Sequence, residues 1–297
     1  MIAIALIALI NRDSEPSYQG KSLSRWLTIH ATSEHDSTPG EQTARAAMKH
    51  FSTNALPFLL TWVRYEPPRT GAKSILRALV RELPVGITPD ALVDWCYVDP
   101  QEVRADRAAE AFALLDEQVR PAIPALAQLM NDRTFPNASS RALSALGYIG
   151  EEAIPVLLAQ LANPNASYRQ EVAYLFGISP KLATNPDAVV PLLVRCLADQ
   201  DMRVRGVAAE SLGRIAERSR THAAMVVPAL TNCLSATKQT ILLHNATWAL
   251  GIYGDQARAA VPALLNAITD PENRVRFLAT NALQRIAPEV LTNAPPQ

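Results

Sequence analysis

Groups able to do chemistry are thinly spread along this chain of 297 residues. The five histidines stand at His30, His35, His50, His222 and His244, followed by Ala31, Asp36, Phe51, Ala223 and Asn245. A metal site needs imidazole and carboxylate ligands that converge. These histidines span more than 200 residues with no His-Glu dipeptide and no repeating placement, so no metal or other cofactor is expected. Cys96, Cys196 and Cys233 are odd in number and form no C-x-x-C pair, which leaves no disulfide framework. Cys196 and Cys233 sit in the matching contexts VRCLAD and TNCLSA, where a small buried hydrophobe is the plain reading. Neither a G-x-S-x-G elbow nor a Gly-rich phosphate loop occurs. Arg104, Arg205 and Arg276 recur in Val-Arg dipeptides with Asp99, Asp199 or Asp201, and Asp270 just upstream. Such a series could bind an anion. Equally, each Asp could cap a helix while each Arg ties neighbouring segments together, and the spacing favours this second reading.

Composition states what must position these groups. Lys and Arg number 28 and are balanced by 28 Asp and Glu, so no global field draws in nucleic acid or anionic lipid. Apolar residues make up 48 % and charged ones 19 %, enough to bury a large core and to exclude disorder. The 48 Ala and 36 Leu favour helix over strand. Met1 to Ile10 is a continuous apolar run, half of the ~20 residues a spanning helix needs. It lacks a basic n-region and reads as an incomplete export signal or as a hydrophobic turn packed on the body. Location therefore stays open, leaning toward an exported or membrane-anchored protein, with any membrane association confined to this segment.

Two marks recur. An apolar pair followed by Pro and Leu appears at Pro57, Pro124, Pro155, Pro191, Pro228 and Pro262. A second mark ends at Gly147, Gly177, Gly213, Gly251 and Gln284. From each of the five later prolines to the next second mark the distance is 22 or 23 residues, whereas the return distances are 8, 14, 15 and 11. A block of constant length must be rigid: a second helix, a tight turn and the next first helix. Insertions then collect at the remaining turn. Two and six residues after each of the five later prolines the chain is apolar, as in Leu126 and Met130 or Leu264 and Ile268, which is one helix face. Pro suits the opening turn of these second helices. Leu146, Phe176, Leu212, Leu250 and Leu283 are the apolar knobs of the first helices, and the Gly or polar residue after each knob is expected to let the chain leave the helix.

A period of 30 to 38 residues carried by DPQEVRADRAAEAF, DMRVRGVAAESLG and DPENRVRFLATNAL resembles the HEAT-repeat family. The segments YQGKSLSRWL and NALPFLLTWVRYEPP are similar to a group of bacterial HEAT-repeat proteins, many with a hydrophobic export segment. The expected fold is all-α, a right-handed solenoid of seven helix pairs near 41–67, 70–99, 101–132, 136–163, 166–199, 202–236 and 238–269, with a half repeat at 272–288. In domain terms, residues 1–20 are a hydrophobic segment and polar linker, and 21–40 a capping helix and loop that includes Trp26. Residues 41–288 form one continuous solenoid and 289–297 a flexible tail.

The resemblance implies that second helices line the concave side. Their positive charges are limited to Arg64, Arg133, Arg195 and Lys238, too few for a phosphate track, so nucleic acid is not expected as a ligand. The cluster Arg214, Arg218 and Arg220 falls in a variable turn and reads as solvated. Four residues after Pro come Thr61, Gln128, Arg195, Asn232 and Asn266, with Gln160 one step offset. Mostly uncharged, they can bond peptide groups without the desolvation cost of charge, which points to a protein partner. Trp62 adds an aromatic candidate beside Arg64 and Tyr65, and Trp248 belongs to the core pattern. The expectation is a monomeric, non-enzymatic scaffold that holds a protein on its concave surface. Two alternatives stand beside it. One is an enzyme of similar repeats, a lyase or hydrolase, for which Asp94 in the degenerate VDWCYVD stretch is the residue to inspect. The other is a membrane-tethered envelope component.

Overall fold

The computed structural model of the protein describes residues 15–33, 38–68, 76, 79–82, 98–164, 167–182, 184–236 and 239–292. Met1 to Ile10, His35, Asp94, Trp95, Cys96, Lys238 and most of the expected pair at 70–99 lie outside them. The fold is an all-α solenoid of helix pairs. Two compact units divide the chain, Met1–Ala153 and Ile154–Gln297.

The first unit opens on an antiparallel pair, β1 (Ser17–Tyr18) and β2 (Lys21–Ser22), with Tyr18 opposite Lys21. Between them Gln19 and Gly20 adopt φ of +49° and +72°. Two successive positive φ values match the strand twist and make the tightest hairpin. Helix α1 (Leu23–Thr32) starts at once, and the Ser22 hydroxyl accepts the Arg25 amide hydrogen. Trp26 is buried in α1 and donates its indole N–H to the Tyr18 carbonyl at 3.0 Å. Helix α2 (Pro39–Phe51) packs on α1. Glu41, only 2 % exposed, joins them by accepting from His30 Nδ1 at 2.5 Å and from Arg45 Nε at 2.7 Å.

Among the described residues this unit continues with α3 (Leu56–Val63), α4 (Pro100–Ala111), α5 (Ile123–Met130) and α6 (Pro136–Ile149). Helix α4 packs on α1, α3 and α6, and α5 packs on α6. A buried arginine organises this contact. Arg141 of α6 is 7 % exposed and donates to Asp106 at 2.5 Å and to the Tyr65 carbonyl at 2.7 Å, with Glu102 at 3.5 Å. Nearby, the Tyr65 hydroxyl donates to Asp99 at 2.7 Å, and the Glu66 carboxylate accepts the Ala138 amide hydrogen at 2.7 Å. Glu66 thus caps α6, whose own N-cap Phe135 has no side-chain acceptor.

The second unit holds α7 (Ile154–Ala162), α8 (Arg169–Ile178), α9 (Pro186–Cys196), α10 (Met202–Arg218), α11 (Ala223–Ala236), α12 (Thr240–Tyr253), α13 (Val261–Ala267), α14 (Asn273–Ile286) and α15 (Glu289–Thr292). First helices stack on first helices, α8 on α10 on α12 on α14, while α7, α9, α11 and α13 stack beside them. Every expected knob is in the core: Phe176, Leu212, Leu250 and Leu283 are all 0 % exposed, as is Leu146 of the first unit.

Two local expectations are corrected. Pro57, Pro124, Pro155 and Pro262 stand in the first turns of α3, α5, α7 and α13, each preceded by a 3₁₀ turn. Pro191 and Pro228, however, lie inside α9 and α11 rather than opening them. The return distance decides this. Where it is 14 or 15 residues, room exists for a further helical turn ahead of the proline, and α9 begins at an Asn185 cap instead. Extra residues therefore lengthen these second helices.

The glycines, too, have another role than leaving the helix. Gly213 lies within α10 and Gly251 within α12, both in helical conformation. A methyl group on Gly213 would stand 2.3 Å from Cζ3 of Trp248, and one on Gly251 3.2 Å from Cα of Ala282. The missing side chain lets the next first helix approach. It is a packing requirement between repeats, not a stop signal.

Candidate interaction surface

The arginine series is resolved by geometry. Arg205 of α10 donates to the carbonyls of Asp199 and Gln200, and Arg276 of α14 to those of Asp270 and Pro271, in both cases six and five residues back. Each guanidinium closes the turn before its own helix. Arg205 also donates from Nε to Gln239 at 3.0 Å, reaching the turn before α12. Asp201 caps α10 and Asp99 caps α4. Arg104 differs: its guanidinium lies over the Trp62 ring, 5.2 Å from the centroid. Sequence reasoning missed a further member. Arg169 stands eight residues before Gly177, as Arg205 stands before Gly213, and it pairs with Asp199 at 2.7 Å where both side chains are nearly buried. That register could have found it. Arg141 carried no such signal, because it stands six residues before its glycine.

On the second helices the structure places Thr61 of α3 and Gln128 of α5 at the surface of the first unit. In the second unit Arg195, Asn232 and Asn266 are exposed on α9, α11 and α13, three helices that stack in succession. They share one position relative to Pro191, Pro228 and Pro262, so they form a row. Gln160 is not part of it: at 6 % exposure it is buried, and its Nε2 has no hydrogen-bond partner. Ala159, one residue earlier, is the exposed one. Thr61 turns its hydroxyl inward to the Pro57 carbonyl at 2.7 Å, and Trp62 is half-buried.

Among the described residues no three His, Cys, Asp or Glu side chains gather as a metal site would require. His30 is bound to Glu41, His222 to Asp187 at 2.9 Å, and His244 lies 3.6 Å from Glu272, too far for a hydrogen bond. No helix among the described residues is long and apolar enough to cross a membrane. Cys196 and Cys233 are buried thiols. Burial, helped by the charge of Asp199, pushes the Cys196 thiol up to about 11, and burial also raises Cys233. Only the thiolate reacts, so in a Cys96→Ala background the Cys196 thiol is expected to alkylate at pH 8 about 100-fold more slowly than free cysteine, and the Cys233 thiol also more slowly than free cysteine. Iodoacetamide labelling followed by mass spectrometry checks this, with full labelling returning in urea.

Comparison with known proteins bears on the repeat. Residues 154–251 match the family described as HEAT repeats, residues 260–290 the HEAT repeat, and residues 242–270 the PBS lyase HEAT-like repeat. No curated protein matches the sequence. Among solved structures the chain is similar to Kap121p bound to Pho4p, at 16 % identity and a TM-score of 0.50. That match covers 89 % of this chain and 29 % of Kap121p, so the chain spans under a third of that protein's length. Kap121p bound to Nup53p matches at 16 % identity over the same shares with a TM-score of 0.49. An engineered protein matches at 18 % identity over 89 % of this chain and 95 % of its own, with a TM-score of 0.34.

Proposed function

Since this chain is a HEAT-repeat protein, we propose that it acts as a non-enzymatic scaffold holding a protein partner against the exposed row of its second helices. One observation carries the reading: Arg195, Asn232 and Asn266 recur at one repeat position, exposed, on three helices stacked in succession. A row of two side-chain amides and one guanidinium at repeat spacing suits an extended polypeptide. Its peptide groups present alternating donors and acceptors; the guanidinium donates to the carbonyls, and the two uncharged amides meet either group without a large desolvation cost. The shared fold with Kap121p, seen there bound to Pho4p, supports a helical-repeat surface of this kind.

Alanine at Gln128, Arg195, Asn232 and Asn266 together removes the partner while leaving the fold intact. Exposed substitutions of this kind change stability by about 0.5 kcal/mol or less each. Far-UV circular dichroism and the melting temperature are therefore expected to hold. Affinity capture from the native cell, quantified by mass spectrometry, is expected to lose its leading protein. An unchanged capture profile would discard this row as the binding surface.

A further inference from the structure

We propose that a cleft between α1 and α4, in the first unit, binds a phosphate group. This inference stands independently of the scaffold reading, since none of the row residues takes part. The cleft has a volume of about 580 Å³, and its polar lining includes Ser22, Ser24, Arg25, Thr28, Arg104 and Arg107. Small-ligand sites typically measure about 300–1,000 Å³. Three guanidiniums in one such space are unusual in a chain whose charges otherwise balance. They come from two helices: Arg25 from the first turn of α1, and Arg104 and Arg107 from one face of α4, three residues apart.

The surrounding carboxylates leave this charge largely uncompensated. Asp99 is committed to the Gln101 amide at 3.0 Å and to the Tyr65 hydroxyl at 2.7 Å. Glu102 and Asp106 turn to Arg141. Among the described residues Glu15 alone reaches the rim, accepting the Ser24 amide hydrogen at 3.0 Å and lying 4.0 Å from Arg104. Among the described residues Arg25 has no side-chain partner, and Arg107 donates only to the neutral Thr28 hydroxyl at 3.0 Å.

These contacts distinguish ligand classes. A carboxylate of one charge, as Glu15 displays, engages the α1 amide and approaches one guanidinium. It leaves the other two without a counter-charge. A phosphate ester carries close to two charges and three strong acceptor oxygens, enough to accept from Arg25, Arg104 and Arg107 and from nearby hydroxyls together. The Ser22 and Ser24 hydroxyls stand 3.1 Å apart and can each donate. Both helices also begin at the cleft, which adds their positive ends. Trp62 acquires a role here by holding the Arg104 guanidinium over its ring. That makes it a positioning residue rather than a contact for a protein partner.

Calorimetric titration of the full chain at low salt tests the site with three probes: pyrophosphate, a phosphoserine peptide and a glutamate-rich peptide. Pyrophosphate is expected to bind one to one. Arg25→Ala and Arg107→Ala each weaken it about tenfold or more, since hydrogen bonds to charged groups are the strong ones. Glu15→Gln tightens it several-fold by removing the competing carboxylate. Arg25 is exposed, so its variant keeps the fold. Binding of the phosphoserine peptide as well assigns the phosphate to a protein source, and binding of pyrophosphate alone to a small molecule. Either supports the site. Absence of binding by both phosphate probes, equal affinity for the glutamate-rich peptide, or wild-type affinity in Arg25→Ala and Arg107→Ala would overturn it.

Discussion

Gly213→Ala is expected to destabilise the second unit by about 1–3 kcal/mol, against the ordinary preference of helices for alanine. In an exposed helix the same change would stabilise by about 1 kcal/mol. Here the new methyl would stand 2.3 Å from Cζ3 and 2.8 Å from Cε3 of Trp248, and 3.0 Å from Cβ of Ala249. The indole is a rigid, half-buried ring and Ala249 beside it is fully buried, so the methyl fits only if the ring turns out of its place or α12 moves away from α10. The measurement is the urea midpoint of the variant. A rescue separates this cause from a general loss of helix: Trp248→Leu in the Gly213→Ala background should recover much of the deficit, giving a coupling energy well above the ~0.5 kcal/mol expected of independent sites. A Gly213→Ala protein as stable as the parent would mean that the repeats do not approach this closely.

Arg141→Met is expected to cost about 2–3 kcal/mol in the first unit. Methionine keeps much of the buried stem, so the loss isolates the guanidinium. That group donates to Asp106 and to the Tyr65 carbonyl and lies near Glu102. Hydrogen bonds of charged groups are worth about 1.5–3 kcal/mol. The larger penalty of ~3–5 kcal/mol known for breaking fully buried pairs does not apply, because Asp106 and Glu102 are 59 % and 33 % exposed and can turn to water. What water cannot replace is the link between α6, α4 and the chain leaving α3. Urea unfolding gives the magnitude, and hydrogen exchange gives the place: faster exchange in α4 and α6, with α8 to α14 unchanged. Uniform acceleration over both units would refute the local role.

How much of this was legible in advance can be judged residue by residue. The knobs Leu146, Phe176, Leu212, Leu250 and Leu283 were readable because an apolar side chain at a fixed helical spacing has one outcome in a stack, which is burial. Asp99 and Asp201 were readable as caps for a similar reason: an Asp ahead of a helical run satisfies the next amides locally. Pro191 and Pro228 misled, since a proline can begin a helix or sit within one, and the number of residues available before it settles which. Gly213 misled as well. Glycine is compatible with a helix end and with a close crossing, and only the position of Trp248 distinguishes them.

The candidate sites divide along the same line. The row of Arg195, Asn232 and Asn266 follows from counting, because it lies within the block of near-constant length that begins at each proline. Gln160 fell out of that row because a one-residue offset turns a helical side chain by about 100°, here from solvent into the core. The arginine cleft could not be counted at all. Arg25 belongs to a capping helix outside the repeat and Arg107 lies 82 positions later, so no periodicity relates them.

Sequence alone determined the helix pairs, their stride and the side of each helix that faces the core. All of these depend on neighbours within a few turns along one chain. Tertiary structure decided which glycine admits a neighbouring ring, which arginine is buried among carboxylates, and where three guanidiniums meet. Those outcomes depend on distances between helices far apart in sequence, and helical periodicity carries no record of them.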